Sequence, residues 1–395
     1  MKTENPRNTL AACIGLAALT GYILACTSFS PDDTKVLYPA FDAQSGGLGV
    51  AVYDRPSAKS ELVFLPAVFD EQSTNSPAPQ LLRPQWLADG RRILVAWADG
   101  KGDKDALNLI LLPWATRGPV RHFSFPGIKD AASSLRVPIC LAGERAFIKT
   151  GDACLVRLDL DTGARVVHEF PEVPGDLQLY PAPGDQGLFY LEERDAPAGK
   201  ERVFGRLHPE DFTRTPLLTF TNEAADGTFF AYAPDGKRLA FLTKGPDAPQ
   251  LIVLAAGRPP FVRDLAGSDG DKLTFANAFF SRKGDALLAG FRRELDSSKR
   301  GAFGIMEIPI SEAPVREKIL IPSARTDDET AGYYFQIGVS HDGKAAAVAS
   351  TYVACGAEEF QSADCALFLV NLSDPKWPVT KLPIPLPADR SAPLK

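Results

Sequence analysis

Short stretches of alternating apolar and polar residues recur along the chain on either side of tight polar turns. The clearest case is YAPDGKRLAFLTKG, residues 232–245, where an Asp-Gly turn separates two such stretches. Period-two alternation over four to eight residues is typical of a half-buried β-strand, and such a turn joins two antiparallel strands. Helical periodicity over a dozen residues is almost absent. The pattern therefore predicts an all-β protein.

Imperfect copies of this hairpin recur at a regular interval. Including the stretch at residues 232–245, the seven predicted units begin at Pro39, Pro84, Val137, Tyr180, Tyr232, Asn277 and Phe335. Their turn glycines are Gly47, Gly90, Gly143, Gly187, Gly236, Gly284 and Gly343. A period of roughly 40 to 50 residues is typical of a four-stranded propeller blade.

Each unit also has a third apolar stretch after a polar loop, such as Glu61–Phe64 in the first unit and Leu251–Leu254 in the fifth, and several have a fourth, such as Arg165–His168. One four-stranded sheet cannot bury both of its faces, whereas blades stacked around an axis cover one another. We therefore predict one seven-bladed β-propeller of four-stranded antiparallel blades at residues 35–385. The alternative, a two-sheet sandwich, does not explain seven copies of one turn.

The hairpin is similar to the WD-repeat-like propeller repeat of the TolB family, which reads aromatic, small residue, Pro, Asp, Gly, Lys and then aliphatic residues. The match is strongest at Tyr232–Phe241, fair in blades two, six and seven, and poor in blades three and four. The resemblance implies an architecture and no particular activity.

The N-terminus has the pattern of an export signal. Lys2 and Arg7 precede an apolar run from Leu10 to Ala25, which is short for a membrane span. The run ends in Ile-Leu-Ala-Cys at Cys26, which resembles the bacterial lipobox and implies lipidation of that cysteine. We therefore predict a signal peptide at 1–25, a tether at 26–34, the propeller at 35–385 and a proline-rich tail at 386–395.

Leu24 departs from the small residue usual in a lipobox, so release as a soluble protein and retention as an uncleaved anchor remain alternatives. In lipoproteins of this type, an aspartate after the lipidated cysteine is associated with retention in the inner membrane. Thr27 occupies that position here, so the resemblance implies an outer-membrane lipoprotein on the periplasmic or cell-surface side. Removal of the signal takes two basic residues and one acidic residue, leaving 41 against 48 and a net charge of −7. This balance argues against nucleic acid as a partner.

The four cysteines that remain after Cys13 and Cys26 form two local pairs, Cys140 with Cys154 and Cys355 with Cys365. Such spacing in an exported protein predicts two disulfides, each within one blade. The sequence has no CxxC spacing, and His122, His168, His208 and His341 are scattered along it. We predict no metal site and no cofactor.

Sequence motifs for catalysis are missing: the chain has no G-x-S-x-G elbow, P-loop, dinucleotide fingerprint or HExxH. We expect no catalytic residues and place a binding rim where the second strand of each blade meets the third. The predicted rim residues are Arg55, Trp97, Asp99, Lys149, Glu193, Arg194, Lys244, Arg292, Arg293 and Tyr352. Among these, Arg194, Arg292 and Arg293 are the predicted anion ligands, because guanidinium groups bind carboxylates through two hydrogen bonds.

The leading functional hypothesis is a lipid-anchored propeller that binds protein partners or ligands in a bacterial envelope. One alternative is a propeller enzyme, such as a lyase, lactonase or glycan hydrolase, whose catalytic residues come from several blades. Its carboxylates would be drawn from Asp99, Glu192, Glu193 and Glu294. A second alternative is a subunit of a secretion, motility or surface-appendage assembly.

Overall fold

The structure, a computed structural model, describes most of the chain from residue 27 onward. The described ranges are 27–42, 48–64, 80–99, 106–114, 119–126, 139–151, 154–170, 177–181, 187–197, 199–221, 229–233, 236–243, 249–265, 273–294, 300–325, 332–353, 366–383 and 385–386. No helix occurs in these ranges.

The described strands form seven four-stranded antiparallel sheets and one short additional strand. Blades one to three contain β1 Ser28–Phe29, β2 Lys35–Asp42, β3 Leu48–Asp54, β4 Lys59–Phe64; β5 Gln80–Trp86, β6 Arg92–Asp99, β7 Ala106–Pro113, β8 Arg121–Pro126; β9 Cys140–Ala142, β10 Arg145–Gly151, β11 Cys154–Asp159 and β12 Arg165–Glu169. Blades four and five contain β13 Gln178–Pro181, β14 Leu188–Ala196, β15 Gly199–Leu207, β16 Arg214–Thr221; β17 Phe229–Tyr232, β18 Arg238–Thr243, β19 Gln250–Ala255 and β20 Phe261–Asp264. Blades six and seven contain β21 Leu273–Phe280, β22 Ala286–Glu294, β23 Arg300–Pro309, β24 Arg316–Arg325; β25 Gly332–Val339, β26 Ala345–Val353, β27 Ala366–Asn371 and β28 Val379–Pro383, followed by β29 Pro385–Leu386.

Within each blade the four strands pair in chain order. First strands of neighbouring blades contact one another, for example β17 with β21 and β21 with β25, so they surround the axis of a ring. The predicted fold, a seven-bladed β-propeller of four-stranded antiparallel blades, is confirmed.

The core lies between blades because each second strand alternates its side chains between two neighbours. In β14, Leu188 and Tyr190 pack with Phe147 of blade three, whereas Phe189 and Leu191 pack with residues of blade five such as Phe241. Each fully buried side chain of this size contributes about 1.5–3 kcal/mol relative to an exposed one. The period-two pattern of the sequence thus predicts two buried faces for every blade.

The hairpin turn has the same hydrogen bonds in five blades. In blade five, the amide of Ala233 donates to the carbonyl of Arg238 at 2.9 Å, and the amide of Gly236 donates to Ala233 at 2.8 Å. Blades two, six and seven repeat these bonds around Gly90, Gly284 and Gly343. The glycines have φ of +63° to +70°, a left-handed conformation that costs glycine little.

Blade one repeats the turn at a different place from the one that we predicted. The amide of Asp33 donates to the carbonyl of Ser30 at 2.8 Å, and the amide of Ser30 donates to Lys35 at 2.9 Å. Asp33 occupies the glycine position with φ +58°. The first unit therefore begins at Phe29 rather than Pro39. The sequence pattern missed this turn because Asp33 replaces the glycine that marks it in the other blades, and aspartate tolerates this conformation better than most residues.

This shift corrects two further expectations. Residues 27–34, most of the predicted tether, belong to blade one, since β1 pairs with β2 and Thr27 is 8% exposed. The stretch Glu61–Phe64, predicted as a third strand, lies in the fourth strand β4.

Blades one and seven close the ring through contacts between the two ends of the chain. The Asp33 carboxylate accepts hydrogen bonds from the amides of His341 and Asp342 at 2.7 and 2.9 Å, and Nδ1 of His341 lies 3.0 Å from it. In addition, β29 pairs in parallel with the end of β2. Its Leu386 opens the predicted tail; residues 387–395 lie outside the described residues.

The predicted disulfide between Cys140 and Cys154 does not form. Cys140 lies in β9 and Cys154 in β11, with β10 between them; Cys140 is opposite Phe147, whereas Cys154 is opposite Gly151. Strands lie about 4.8 Å apart, so this placement exceeds the separation of about 7 Å that a disulfide can span. Cys26, Cys355 and Cys365 lie outside the described residues.

None of the described residues belongs to a helix that could span a membrane.

Candidate functional site

The ring has two faces that differ in their connections. We define the turn face by the turns that join first to second strands and third to fourth strands. We define the loop face by the connections between second and third strands and between successive blades. Between the strands, most residues outside the described ranges fall in loop-face connections, whereas residues 115–118, 182–186 and 234–235 fall in turn-face connections.

Most predicted rim residues lie near the loop face, as expected. Lys149, Glu193, Arg194, Arg292 and Arg293 lie in the distal halves of second strands. Trp97, Asp99 and Tyr352 occupy equivalent strand positions, but their side chains, and all of Lys244, lie outside what the structure describes.

Arg55 is the exception, because it lies on the turn face. It follows β3, where its amide donates to the carbonyl of Thr34 at 2.9 Å, and its guanidinium lies over the ring of Phe29 at 5.7 Å. The prediction placed it at the rim because the first unit was assigned one strand too late. Arg55 therefore belongs to the blade-one turn and not to the rim.

The loop-face arginines predicted as anion ligands are engaged by carboxylates of the same chain. Arg293 binds Glu317 through Nη1 and Nη2 at 3.2 and 2.6 Å. Arg292 lies 3.4 Å from Glu294, and Arg194 pairs with Glu192. The carboxylates in these pairs neutralise the arginine charges that would otherwise attract an external anion.

Glu192 is buried, with 1% exposure, on the surface of blade four that faces blade three. One carboxylate oxygen pairs with Arg194, and the other accepts from Nη1 of Arg214 at 2.5 Å. The Arg214 guanidinium lies 5.4 Å from the ring centre of Phe170. Burial and the charge of Glu192 raise the pKa of the adjacent Tyr190. A carboxylate held between two guanidinium groups is positioned to stabilise the blade interface.

The turn face carries an acidic group on blades two and three. Arg92 binds Asp89 and Asp161 at 2.6 Å each, and it also binds Glu144. Partial burial raises the pKa of Glu144 although Arg92 opposes the shift. Three carboxylates therefore surround one guanidinium here, and the exposed Arg91 lies in the same turn as Asp89.

The turn face carries a basic group on blades five and six. Its members, which we call the basic turn group, are Lys237, Arg258, Arg282 and Lys283, and all four are exposed. The described residues provide no ion-pair partner for Arg258, Arg282 or Lys283. Sequence reasoning missed this group because its residues sit in separate turns; the signal was the basic residue beside the glycine in the hairpin turns of blades five and six.

Contacts between blades hold the hairpin turns of the turn face together. Arg238 of blade five donates to the carbonyl of Gly284 in blade six at 2.6 Å. A Cβ at Gly343 in blade seven would lie 3.4 Å from the Cβ of Arg282. The basic turn group therefore sits on turns that touch their neighbours.

The second set of turns, between third and fourth strands, is held by arginines of the preceding blade. The bonds to backbone carbonyls are Arg121 to Leu160 at 3.2 Å, Arg157 to Pro209 at 2.8 Å, Arg263 to Ser311 at 2.6 Å and Arg316 to Pro375 at 3.0 Å. Two of these turns place an aromatic residue, Phe212 or Trp377, in the left-handed region with φ of +60° or +48°. Arg157 and Arg316 lie over these two rings at 5.6 and 4.5 Å. The turn face is consequently a preorganised surface.

The four histidines each have a separate contact. His122 lies 3.2 Å from Asn108, His208 lies 3.2 Å from Asp211, and His168 stacks on Phe212 with ring centres 4.6 Å apart. His341 contacts Asp33. Within the described ranges no group of three or more His, Cys, Asp or Glu residues is arranged to hold a metal ion.

Comparisons with known proteins identify the class of fold. No protein-family model matches the sequence, and no curated protein shows significant similarity. The complex of KlAtg21 with the coiled-coil of AgAtg16 gives a TM-score of 0.52 at 12% identity, covering 91% of this chain and 98% of the other. A structure from a study of two prolyl endopeptidases gives 0.57 at 11% identity, covering 94% of this chain but 51% of the other.

The crystal structure of TolB from Acinetobacter baumannii is also similar, with 14% identity, 90% of this chain and 83% of that chain covered, and a TM-score of 0.40. At these identities the two likenesses with TM-scores above 0.5 show the fold alone, in agreement with the seven-bladed β-propeller of the structure.

Proposed function

We propose that the protein is an exported β-propeller of the bacterial envelope that binds a protein partner on its turn face. The signal-like N-terminus supports export. The basic turn group is the observation that carries the binding proposal, because three of its exposed cations, Arg258, Arg282 and Lys283, have no carboxylate partner among the described residues and are available to a partner. The arginines of the loop face are less available to a partner, because carboxylates of the same chain already bind them.

The electrostatics of the turn face favour a partner with its own charge pattern. Blades two and three present three carboxylates around Arg92, while blades five and six present the basic turn group. Complementary charges increase the association rate and fix the orientation of partners. A partner with an acidic patch against blades five and six fits this surface.

We further propose that the protein is anchored through a lipid on Cys26. Thr27 is buried, and a Cβ at Gly338 would lie 2.3 Å from its carbonyl oxygen, so β1 enters the ring directly after Cys26. From Thr27 the chain runs toward the hairpin turn at residues 31–34. An anchor at Cys26 would therefore direct the loop face toward the membrane and leave the turn face accessible.

Binding is proposed here as the role of the ring, in preference to catalysis. Of the carboxylates considered for catalysis, Glu192 contacts Arg194 and Arg214, and Glu193 contacts Lys200 and lies 3.7 Å from Arg202. A general acid or base needs a reacting group within hydrogen-bond reach, whereas these carboxylates already contact cations of the chain.

The test is affinity capture from crosslinked envelopes with a charge-reversal variant, Arg282→Glu with Lys283→Glu. We expect a stoichiometric partner with the wild-type chain and a loss of at least about tenfold with the variant, since two attractive contacts become repulsive. Lys200→Glu on the loop face is the matched control and should retain the partner. Equal capture by all three chains would refute the turn face as the binding surface.

The anchor is tested separately by replacing Cys26. Cys26→Ser should move the protein from the membrane fraction to the soluble fraction without changing the fold, because Cys26 precedes the first described strand. Unchanged fractionation would exclude the lipid anchor and would leave the turn-face proposal intact.

A further inference from the structure

The outer strand of blade three, β12 Arg165–Glu169, differs from the other outer strands. Its sequence is Arg-Val-Val-His-Glu, and Val166 and Val167 are 41% and 61% exposed. It pairs with β11 on one side, and its other edge is the perimeter of the ring. An exposed edge strand is a template for pairing with another strand.

The other outer strands carry features that oppose edge pairing. These are Lys59 in β4, Pro126 in β8, Pro216 in β16, Lys318 and Pro322 in β24, and Lys381 and Pro383 in β28. The remaining outer strand, β20, has only four residues. Proline, lysine and short length are among the devices by which proteins protect sheet edges, and among the described outer strands β12 alone has none of these three.

The backbone of β12 presents alternate residues to the outside. The amide of Asp159 donates to the carbonyl of Ala164 at 2.9 Å, and the β11–β12 register then makes Arg157 with Val166 and Leu155 with His168 the hydrogen-bonded pairs. Because hydrogen-bonded and non-hydrogen-bonded pairs alternate along an antiparallel ladder, the amides and carbonyls of Arg165, Val167 and Glu169 point away from the sheet.

We propose that β12 pairs with β12 of a second copy of this chain, antiparallel and centred on Val167. In that register Val167 lies opposite Val167 of the second copy, and Arg165 lies opposite its Glu169 at both ends. All three positions present outward backbone groups, so six hydrogen bonds form. The strand is thus complementary to itself in backbone, apolar surface and charge, as a two-fold interface requires.

The exposed side chains can take part in this pairing and keep their contacts within the blade. The Arg165 guanidinium lies 4.3 Å from the ring centre of Phe125 and donates to the carbonyl of Ser124 at 3.1 Å, so it is held near the perimeter and is still exposed. A five-residue edge buries less than the ~1,200 Å² of a standard stable interface. The dimer is therefore weak and forms only at high protein concentration.

Sedimentation velocity of the purified Cys26→Ser chain in reducing buffer tests the pairing without interference from lipid or disulfides. We expect a monomer–dimer equilibrium and its loss in Val167→Lys. Val262→Lys is the matched control, since Val262 is 51% exposed in the outer strand β20 of blade five. A monomer at all concentrations up to sub-millimolar would overturn the proposal, as would a dimer that survives Val167→Lys.

A charge-reversal cycle decides the register even if Val167→Lys fails to fold. Glu169→Arg places two arginines opposite each other at both ends and should weaken the dimer by about tenfold, because like charges directly opposite are unfavourable. Arg165→Glu combined with Glu169→Arg should restore it. Failure of the double variant to restore the dimer would exclude this register.

Oxidative crosslinking independently tests whether Val167 lies opposite Val167 of the second copy at the two-fold axis. Hydrogen-bonded antiparallel pairs have Cα atoms about 5.5 Å apart, within disulfide range, so Val167→Cys should form a crosslinked dimer on oxidation. Val262→Cys and the parent chain should not. Equal crosslinking of Val167→Cys and Val262→Cys would show random collision and overturn the proposal.

Discussion

The two faces of the ring use charged residues differently. On the loop face, Arg293 is paired with Glu317, and Arg194 with the buried Glu192. On the turn face, Arg282 and Lys283 are exposed on turns that touch their neighbours. Clustered arginines in a sequence therefore do not by themselves indicate an anion site. Loop-face charges should affect stability, whereas those of the basic turn group should affect binding.

The largest expected effect is from Glu192→Gln. Removing a buried carboxylate leaves Arg194 and Arg214 facing each other without compensation, although both retain contact with solvent. We expect a loss of about 3 kcal/mol in the free energy of unfolding, at the lower end for breaking a buried ion pair. Urea denaturation measures it, with Glu193→Gln at the half-buried neighbouring position as control. Equal effects of the two substitutions would contradict the structural role of Glu192.

The next effect concerns the ring-closing turn. Asp33→Gly keeps a residue that accepts φ +58° but removes the acceptor for the amides of His341 and Asp342. We expect a loss of about 2 kcal/mol, because hydrogen bonds to a charged group contribute about 1.5–3 kcal/mol. Asp33→Asn retains one acceptor oxygen and should lose less. A stable Asp33→Gly chain would show that β29 and apolar packing suffice to close the ring.

A smaller loss of stability is expected from alanine substitutions at two turn glycines, and comparing them separates the cost of backbone strain from the cost of a contact between blades. Gly284 and Gly257 have φ of +70° and +69°, but a Cβ at Gly284 would lie 2.3 Å from Nη2 of Arg238, whereas Gly257 has open space. Alanine should cost about 1 kcal/mol at Gly257 from conformation alone and about 1 kcal/mol more at Gly284 from displacing the arginine. Thermal unfolding of the two variants measures the difference. Identical costs would mean that Arg238 does not lock these turns.

The smallest effect is the acid dependence of the turn face. The Ser30 hydroxyl lowers the pKa of Asp32 from 3.8 to about 2, and hydrogen bonding from Thr162 lowers that of Asp159. Because the folded-state pKa values are depressed, these groups stabilise the fold fully above about pH 4 and lose that contribution as the pH falls toward 2. Asp32→Asn should flatten the stability profile in this window. An unchanged profile would exclude Asp32 as a contributor.

Most of the fold could be predicted from sequence because Asp-Gly hairpins with period-two flanks repeat along the chain. Blade one was misplaced because Asp33 replaces the turn glycine, so a motif search passed over a turn that has the same hydrogen bonds. The Cys140–Cys154 pair was wrong because sequence spacing does not show that β10 separates the two strands. The pairing of Arg293 with Glu317 depends on a partner 24 residues away, which composition cannot reveal.

Site-specific photocrosslinking in intact cells tests the central claim most directly. A crosslinking amino acid at position 283, on the turn face, is compared with one at position 200, on the loop face beside Glu193. The account predicts a discrete crosslinked partner from position 283 and none of the same mass from position 200. A partner crosslinked from position 200 alone would contradict it and would return the binding surface to the loop face.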